Sequence, residues 1–219
     1  MLNTFLLYFL IFYVFGIILW ITRDYDILTI ITTIILFAIF FVFGRIESLI
    51  YLIIFFVVAE SITILLDVEH KKRSYINIIG NCFPAIVYLV FNQPIAALSS
   101  ISSSFGDTMS SEIGGKSKGN PILITNFKKV EKGTDGAISL LGIIGAIIAS
   151  AITIAFFLIF DYKLKIALII GFSAIVGSII DSYLGAIVER RGFLTNAQTN
   201  FLASGLTGLI ALIISKLIM

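Results

Sequence analysis

Long apolar runs recur along the whole chain, and they constrain its fold more than any other feature. Only short polar breaks separate most of them, such as "RDYD" at 23–26 and "NQP" at 92–94. A helix needs about 20 mainly apolar residues to cross the roughly 30 Å hydrocarbon layer of a bilayer. With 219 residues, 59% of them apolar and 13% charged, and a mean hydropathy of +1.10, the chain predicts about eight crossings rather than a water-soluble core.

These runs predict an all-α protein, a single transmembrane domain over residues 1–219 in which about eight helices form a polytopic bundle with one long basic cytoplasmic loop at 112–136. The predicted spans are 2–22, 26–43, 46–66, 76–91, 94–111, 137–160, 165–187 and 196–218. The first run has no basic segment before it and no A-x-A-like exit, so we expect a retained helix and not a signal peptide. The span at 94–111 is rich in small and hydroxyl residues, which suit close packing inside a bundle better than contact with lipid. We expect it to be an inner helix.

Basic residues are distributed unevenly between the two sides of this eight-span topology. Eleven of the 15 Lys and Arg residues fall in the loops after the first, third, fifth and seventh spans, and four fall on the other side. By the positive-inside rule the richer side is cytoplasmic, which puts both termini outside an integral, multi-pass cell membrane protein. The net charge is only +2, and we expect no nucleic-acid partner.

Polar residues that a bilayer tolerates poorly fall on that same cytoplasmic side. They are Asn77, Asn81, Asp107, Glu112, Asp181, Asn196 and Asn200. A charged side chain near mid-bilayer costs roughly 2.5–3.5 kcal/mol, so Asp107 and Asp181 need a compensating role. Two carboxylates with nearby asparagines are the oxygen ligands that Mg²⁺ prefers, which makes this pair the candidate metal site. The alternatives are that each acid marks a helix end, Glu112 above all, and that the asparagines join helices.

Four-residue spacing aligns these side chains on shared helix faces. Arg73, Asn77 and Asn81 form one stripe, and Asn196 and Asn200 form another. Gly177 and Gly185 flank Asp181 at the same spacing, and glycine at these positions lets another backbone or a ligand approach closely.

The long loop carries the lysines Lys116, Lys128, Lys129 and Lys132 and the run "KGTDG" at 132–136. A loop of this length in a compact protein is usually functional. Backbone amides of a glycine-containing turn at a helix N-terminus, beside a lysine, suit a phosphate group. The alternative is a loop that is basic only because it is cytoplasmic. The segment "GGKS" at 114–117 is not a Walker A loop, because Ser110 stands where that motif needs glycine and no strand precedes it.

The residues resemble a known family, the integral-membrane prenyl-phosphate kinases typified by phytyl-phosphate kinase of the plant vitamin E pathway. The resemblance is carried by "RSYINIIGN" (73–81), "GDTMSSEIG" (106–114), "PILIT" (121–125), "KGTDGAISLLG" (132–142), "GSIIDSYLGA" (177–186) and "TNAQTNFLAS" (195–204). It covers the C-terminal two-thirds, whereas the first 66 residues are similar only in hydropathy. More remotely, the acid, the small-residue helix end and the lysine-glycine-hydroxyl run look like the CTP-using phytol and dolichol kinases and phosphatidate cytidylyltransferases.

This resemblance implies a kinase that transfers a phosphoryl group from a nucleoside triphosphate, with CTP as the expected donor, to an isoprenoid monophosphate of the phytyl or geranylgeranyl type. Mg²⁺ is the implied cofactor, held by Asp107 and Asp181. The implied catalytic residues are Asp107, Glu112, Asp181 and Lys132. The implied nucleotide- and phosphate-binding residues are Lys116, Lys129, Lys132, Gly133, Thr134, Asp135, Gly136, Arg73, Asn77, Asn81, Asn196 and Asn200.

Three other functions remain open from the sequence: a nucleotidyltransferase that forms a CDP-lipid, a polyprenol kinase, and an ion-coupled membrane transporter. Intramembrane acids and asparagines are as natural in a transporter as in an enzyme. Against the transporter, the polar residues gather at one membrane face, and the sequence contains no inverted repeat. The expected partners are the lipid bilayer, the isoprenoid monophosphate and the nucleotide, with a homodimer also possible.

Overall fold

The computed structural model describes residues 26–66 and 74–218, and this part of the chain is mostly helical. Its α-helices are α1 Ile27–Phe43, α2 Ile46–Leu65, α3 Tyr75–Val90, α4 Pro94–Gly115, α5 Leu140–Ile159, α6 Leu164–Leu184 and α7 Asn196–Ile218. A π-helical turn, Gly185–Glu189, continues α6, and a two-stranded antiparallel sheet pairs β1 Ile122–Leu123 with β2 Ala137–Ile138. The predicted span at 2–22 and Arg73 lie outside the described residues.

Polar side chains at the breaks between apolar runs fix several helix starts. The N-cap side chains of Asp26, Ser74 and Ser139 each accept a hydrogen bond from the backbone N–H three residues on, at 2.7, 3.4 and 3.1 Å. Each such bond satisfies one of the N–H groups that have no partner inside the helix. Pro94 occupies the first position of α4, where its missing N–H costs nothing.

The structure differs from the prediction around the long loop. Helix α4 continues to Gly115, four residues beyond the predicted end of its span, so Glu112 lies in the helix and not in the loop. Helix α5 begins at Leu140 and not at 137, because Ala137 and Ile138 pair with β1. The connection therefore spans 116–139 in place of 112–136, with nearly the same length, and contains a small sheet.

Four of the described helices are long and apolar enough to cross a membrane: Ile46–Leu65, Leu140–Ile159, Leu164–Glu189 and Asn196–Ile218. Helices α1 and α3 are apolar but shorter, with 17 and 16 residues. Their outward faces carry many exposed Ile, Leu, Phe and Val side chains. Such a surface is stable next to lipid and not next to water.

Helix α4 is the centre of the bundle and packs against α2, α3, α5, α6 and α7. It is the least apolar of the long helices, and five of its serines are buried. Because these small side chains let neighbouring backbones approach, Gly106 contacts the backbone of Ala174 on α6. Composition thus predicted the inner position of α4.

An aromatic core fills the bundle around α2 and α5. The ring of Tyr51 lies 5.4 and 5.0 Å from the rings of Phe156 and Phe157, and its hydroxyl is 2.7 Å from the Thr153 hydroxyl. Large buried rings supply much of the burial that holds the helices together. These rings lie towards the end of α5 that leads into α6. The polar residues lie at the opposite end of the bundle, where α4 and α6 end and α7 begins.

Candidate functional site

The two acids of the candidate site lie side by side because α4 and α6 run in the same direction and touch one turn before them. Gly177 on α6 lies against the side chain and Cα of Ser103 on α4. Asp107 and Asp181 each follow that contact by four residues, so each lies on the contacting face of its helix. Equal spacing from one contact brings the two carboxyl groups to the same level of the bundle.

The carboxyl groups of Asp107 and Asp181 lie within hydrogen-bonding range of each other. Glu189, on the π-helical turn, is close enough to act electrostatically on both, and Asp135 on Asp181. Carboxylates this close repel one another unless a proton or a cation lies between them. The site therefore gathers acidic side chains at one end of a helix bundle.

Asn200 links Asp181 to two further helices. With its amide nitrogen facing the carboxylate, the Asn200 side chain donates to Oδ1 of Asp181 at 3.0 Å and to the backbone carbonyl of Asn196 at 3.2 Å. In this orientation its oxygen lies 3.2 Å from the Asn81 side-chain amide. Asn200 is only 8% exposed, so these bonds satisfy an amide that burial would otherwise penalise. Four helices thus contribute to one polar cluster of Asp107, Asp181, Asn200 and Asn81.

Close backbone packing positions the two asparagines as it does the two acids. Gly80 on α3 lies against the backbone of Ala197 on α7, next to Asn81 in sequence and one turn before Asn200. The Ser104 hydroxyl on α4 donates to the Asn81 backbone carbonyl at 2.7 Å. Asn77 is half-buried one turn before Asn81, whereas the side chain of Asn196 is exposed.

The "KGTDG" segment at 132–136 rests on the end of α6. Gly136 has a positive φ of 76° and lies against Ala186. The backbone of Asp135 and Gly136 closely approaches Gly185, four residues after Asp181. A side chain at either glycine would push the loop off the helix, so these glycines are what let the loop lie beside the polar cluster.

The remaining predicted residues are close in sequence to the polar cluster, but their side chains are not part of it. Lys116, Lys129 and Lys132 are exposed to solvent. The Thr134 hydroxyl donates to the Glu131 carbonyl at 2.7 Å, and Gly133, with φ of 81°, faces open space. Glu112 follows Asp107 by five residues, about 140° round the helix, so it leaves α4 on a different face.

Sequence reasoning missed Glu189. It follows Asp181 by eight residues, about two helical turns, and the wider π-helical turn brings it towards both acids. The spacing from Asp181 was the available signal, but a π-helical turn leaves no clear mark in a sequence. Its neighbours Arg190 and Arg191 made Glu189 look like part of an ordinary charged loop.

The donor set fits a hard cation. Among the described residues, no group of three or more His, Cys, Asp and Glu side chains is arranged to hold a metal ion. Two carboxylates with an adjacent amide are instead the partial oxygen set with which proteins hold Mg²⁺, whose remaining positions go to water and phosphate. Residues Asp107 and Asp181 therefore fit Mg²⁺ when a phosphorylated ligand shares it.

The helices and this polar cluster define a helical integral membrane protein with an acidic centre at one end of its bundle. The chain belongs to the DUF92 family of integral membrane proteins, whose model matches residues 10–208. Membership of this family accounts for the membrane character of the protein and specifies no activity.

Two relatives are similar to this chain. The uncharacterized membrane protein MJ0933 of Methanocaldococcus jannaschii is 34% identical over 182 residues, which are 77% of this chain and 76% of that protein. Protein PGR of Arabidopsis thaliana is 43% identical over 100 residues, 40% of this chain and 35% of that protein. No solved structure matches the chain significantly.

Proposed function

We propose that this protein is a Mg²⁺-dependent kinase that transfers a phosphoryl group from a nucleoside triphosphate, CTP by preference, to an isoprenoid monophosphate and so makes the diphosphate. The observation that carries the proposal is the contact between Asp107 and Asp181 beside a loop with the "KGTDG" run. Two adjoining carboxylates, an asparagine and a lysine-rich loop together suit a cation with two phosphorylated ligands. The resemblance to prenyl-phosphate kinases supplies the acceptor.

Eight spans with a cytoplasmic active-site face complete this proposal. Helix α4 is enclosed by five neighbours, so it crosses the bilayer without needing a lipid-compatible surface. The span that the sequence predicts at 2–22, which lies outside the described residues, would be the eighth. On this topology both termini are outside, and the basic loop meets the nucleotide in the cytoplasm.

The proposed reaction needs charge neutralisation more than a strong base. The acceptor phosphate is already a nucleophile, and its oxygen attacks the terminal phosphorus of the donor while the nucleoside diphosphate leaves. Asp107 and Asp181 would hold Mg²⁺, which when bound neutralises charge on the donor phosphates. Asn200 fixes the orientation of Asp181 through its 3.0 Å hydrogen bond, so the carboxylate is already aimed when the ligands arrive.

The loop would bring cationic and backbone groups to the donor phosphates. Lys132 is the residue we assign to these phosphates, with Lys116, Lys129 and the 133–136 turn around it. Lys129 and Lys132 are exposed and lie on a loop anchored to α6 at Gly136, from which they could reach a ligand. Positive charge on this loop would offset the acidic cluster, which would otherwise repel a triphosphate.

An ion-coupled transporter is the second candidate, and one observation favours it. The hydroxyls of Ser99 and Ser100 on α4 are buried and have no hydrogen-bond partner in the described part of the chain. Buried polar groups of this kind suit a hydrated path through the bundle. The polar cluster at one end of α4 would then be the entrance of that path.

The decisive experiment compares purified Asp107→Asn and Asp181→Asn with Asp161→Asn, each in detergent with Mg²⁺, CTP and geranylgeranyl phosphate. Asp161 lies in the turn between α5 and α6, with a φ of 58° that asparagine also tolerates, so it is a matched control at the other end. We expect the two site variants to lose at least about 100-fold in diphosphate formation and the control to keep it. Without Mg²⁺ the Asp107→Asn and Asp181→Asn proteins should be at least as thermally stable as the unmodified protein, because each substitution relieves repulsion between the two carboxylates.

Other outcomes identify the rival functions. Normal turnover in both site variants would refute the assignment of the carboxylates. Release of pyrophosphate in place of nucleoside diphosphate would identify a nucleotidyltransferase, and activity on the free alcohol a polyprenol kinase. Ion-coupled uptake by reconstituted vesicles, with no nucleotide consumed, would identify a transporter.

A further inference from the structure

An apolar groove of about 310 Å³ lies between α6 and α7, on the lipid-facing side of the bundle. On α6 its wall includes Leu168, Phe172 and Val176, and on α7 it includes Ile210 and Ile214. These residues recur at intervals of three or four, so each set lies on one helix face. Faces of this pattern normally interlock, and here they stand apart along the half of the helices away from the acids.

Apart from Lys165, the groove offers an occupant no free side-chain hydrogen-bond donor. The Ser173 hydroxyl donates to the Ile169 carbonyl at 2.8 Å, and the Thr207 hydroxyl donates to the Ala203 carbonyl at 2.7 Å. Both are therefore satisfied within their own helices. The groove is thus a surface for a hydrocarbon, and Lys165 at its far end marks where α6 emerges from the apolar layer.

The inner end of the groove leads to the polar cluster. On α7, Thr207 follows Asn200 by seven residues, two turns along the same face, and on α6 Val176 lies five residues before Asp181, on another face of that helix. At 1.5 Å per residue the groove begins about 8–10 Å below the carboxylates. One ligand could therefore place its phosphate end at the acids and continue with its apolar chain into the groove.

We propose that this groove binds the chain of the isoprenoid monophosphate and sets the chain length that the protein accepts. The proposal rests on the proposed function, which places the substrate phosphate at Asp107 and Asp181. From Asp181 to Lys165 the helix rises about 24 Å. Carbon–carbon bonds of about 1.5 Å advance an extended chain by roughly 1.25 Å each, so a C20 isoprenoid, with 16 main-chain carbons, reaches about 20 Å.

A single chain suits this groove better than a phospholipid does. The groove follows one seam between two helices, so it accommodates one extended chain, whereas a phospholipid must place two chains side by side. Its opening towards lipid lets a membrane-dissolved substrate enter sideways, without passing through water. A C20 chain of about 20 Å reaches most of the way to Lys165, and a C10 chain of about 10 Å ends near the level of Ser173.

Tryptophan substitutions on α7 test the chain-length assignment. Ile210 and Ile214 line the groove about 15 and 21 Å from Asn200 along the helix. Ile213 is a matched control, because it is 52% exposed and does not line the groove. We expect Ile210→Trp to lower kcat/KM for the C20 monophosphate at least 10-fold and leave the C10 value within 2-fold. Ile214→Trp should lower kcat/KM for the C20 monophosphate less than Ile210→Trp does. Ile213→Trp should leave kcat/KM for both the C20 and the C10 monophosphate unchanged.

Photocrosslinking gives a readout that does not depend on turnover. A C20 monophosphate with a diazirine at its far end should label α6 and α7 near Leu168 and Ile214, and excess C20 monophosphate without the diazirine should suppress the label. Labelling that spreads evenly over lipid-facing helices, or that added phospholipid suppresses equally, would overturn the groove assignment. If the unmodified protein turns over no prenyl phosphate while the label maps to the groove, the proposed kinase activity fails and the binding site stands. If turnover occurs and Ile210→Trp treats C20 and C10 alike, the groove assignment fails alone.

Discussion

Gly177 is the position at which one added methyl group should separate the two acids. A Cβ there would overlap the Ser103 side chain and lie 2.6 Å from the Ser103 Cα. Carbon atoms in contact are ordinarily about 3.5–4.0 Å apart, and the obstructing Cα belongs to rigid helix. Gly177→Ala therefore requires α4 and α6 to move apart by about 1 Å.

Two magnitudes follow from that displacement. Overpacking of this kind typically costs about 1–3 kcal/mol of stability. Because Asp107 and Asp181 lie one turn beyond the contact, they separate with the helices, and a misplacement of about 1 Å lowers the rate of a positioned reaction on the order of 100-fold. We thus expect Gly177→Ala to lose both thermal stability and diphosphate formation.

The chain carries its own probe for the stability measurement. Cys82 is its single cysteine, and its side chain is 1% exposed, so a thiol-reactive fluorogenic dye reports unfolding as the bundle opens. Gly115→Ala is the control, since nothing lies within 4 Å of a Cβ at that position and a change within about 0.5 kcal/mol is expected. Equal melting of Gly177→Ala and Gly115→Ala would refute the close approach of α4 and α6.

Two further predictions concern the loop and the opposite end of the bundle. Gly133→Ala and Gly136→Ala both introduce the strain of a side chain at positive φ, about 1–2 kcal/mol, but only Gly136→Ala also displaces Ala186. The Gly136→Ala protein should therefore melt at a lower temperature than the Gly133→Ala protein in the dye assay. Equal melting temperatures would contradict the packing of the loop against α6. At the α5–α6 turn, burial and then the nearby Glu47 raise the pKa of Tyr162 above its ordinary value of 10.0, against a smaller opposite effect of Arg45. Because the folded state holds this proton more tightly, its stabilising contribution is present below about pH 10 and is lost as the pH rises through the folded pKa. The difference between ultraviolet titrations of the unmodified protein and Tyr162→Phe should thus have its midpoint above pH 10, and a midpoint at or below 10 would contradict it.

Helix positions could be read from the sequence because long apolar runs and polar breaks are local signals. The predicted spans at 26–43 and 196–218 differ by at most one residue from α1 and α7 as observed. The polar composition of α4 likewise indicated its inner position, since five buried serines would be poorly placed against lipid. These features depend on what each segment can contact, which composition largely determines.

The small sheet could not be predicted in the same way. Strands β1 and β2 have two residues each, too few for an alternating pattern, and Ile122 pairs with Ile138 sixteen residues later. The pairing depends on how the loop folds back, and this also delays the start of α5 to Leu140. The extra turn of α4 up to Gly115 was missed because two successive glycines resemble a helix end.

The site was predictable to the level of a membrane face but not to the level of individual contacts. Alternating spans determine that Asp107, Asp181, Asn81 and Asn200 share one end of the bundle, and the structure brings these four together. Span order does not determine where a loop side chain lies, so the exposed positions of the lysines were beyond sequence reasoning. The order of the spans determines at which end of the bundle a residue lies, whereas the packing of the helices determines which side chains it contacts.

That packing also explains why the acids point to a bound cation and not merely to polar helix ends. Two carboxylates in contact are unfavourable unless a proton or a cation is shared between them. Free helix ends would simply turn such side chains apart into water. Here the Ser103–Gly177 contact fixes both backbones one turn away, and Asn200 holds Asp181 in place. In the function that we propose, a cation with its phosphate ligands would relieve the repulsion between two acids already held in place, and so would bind more favourably than at two flexible acids.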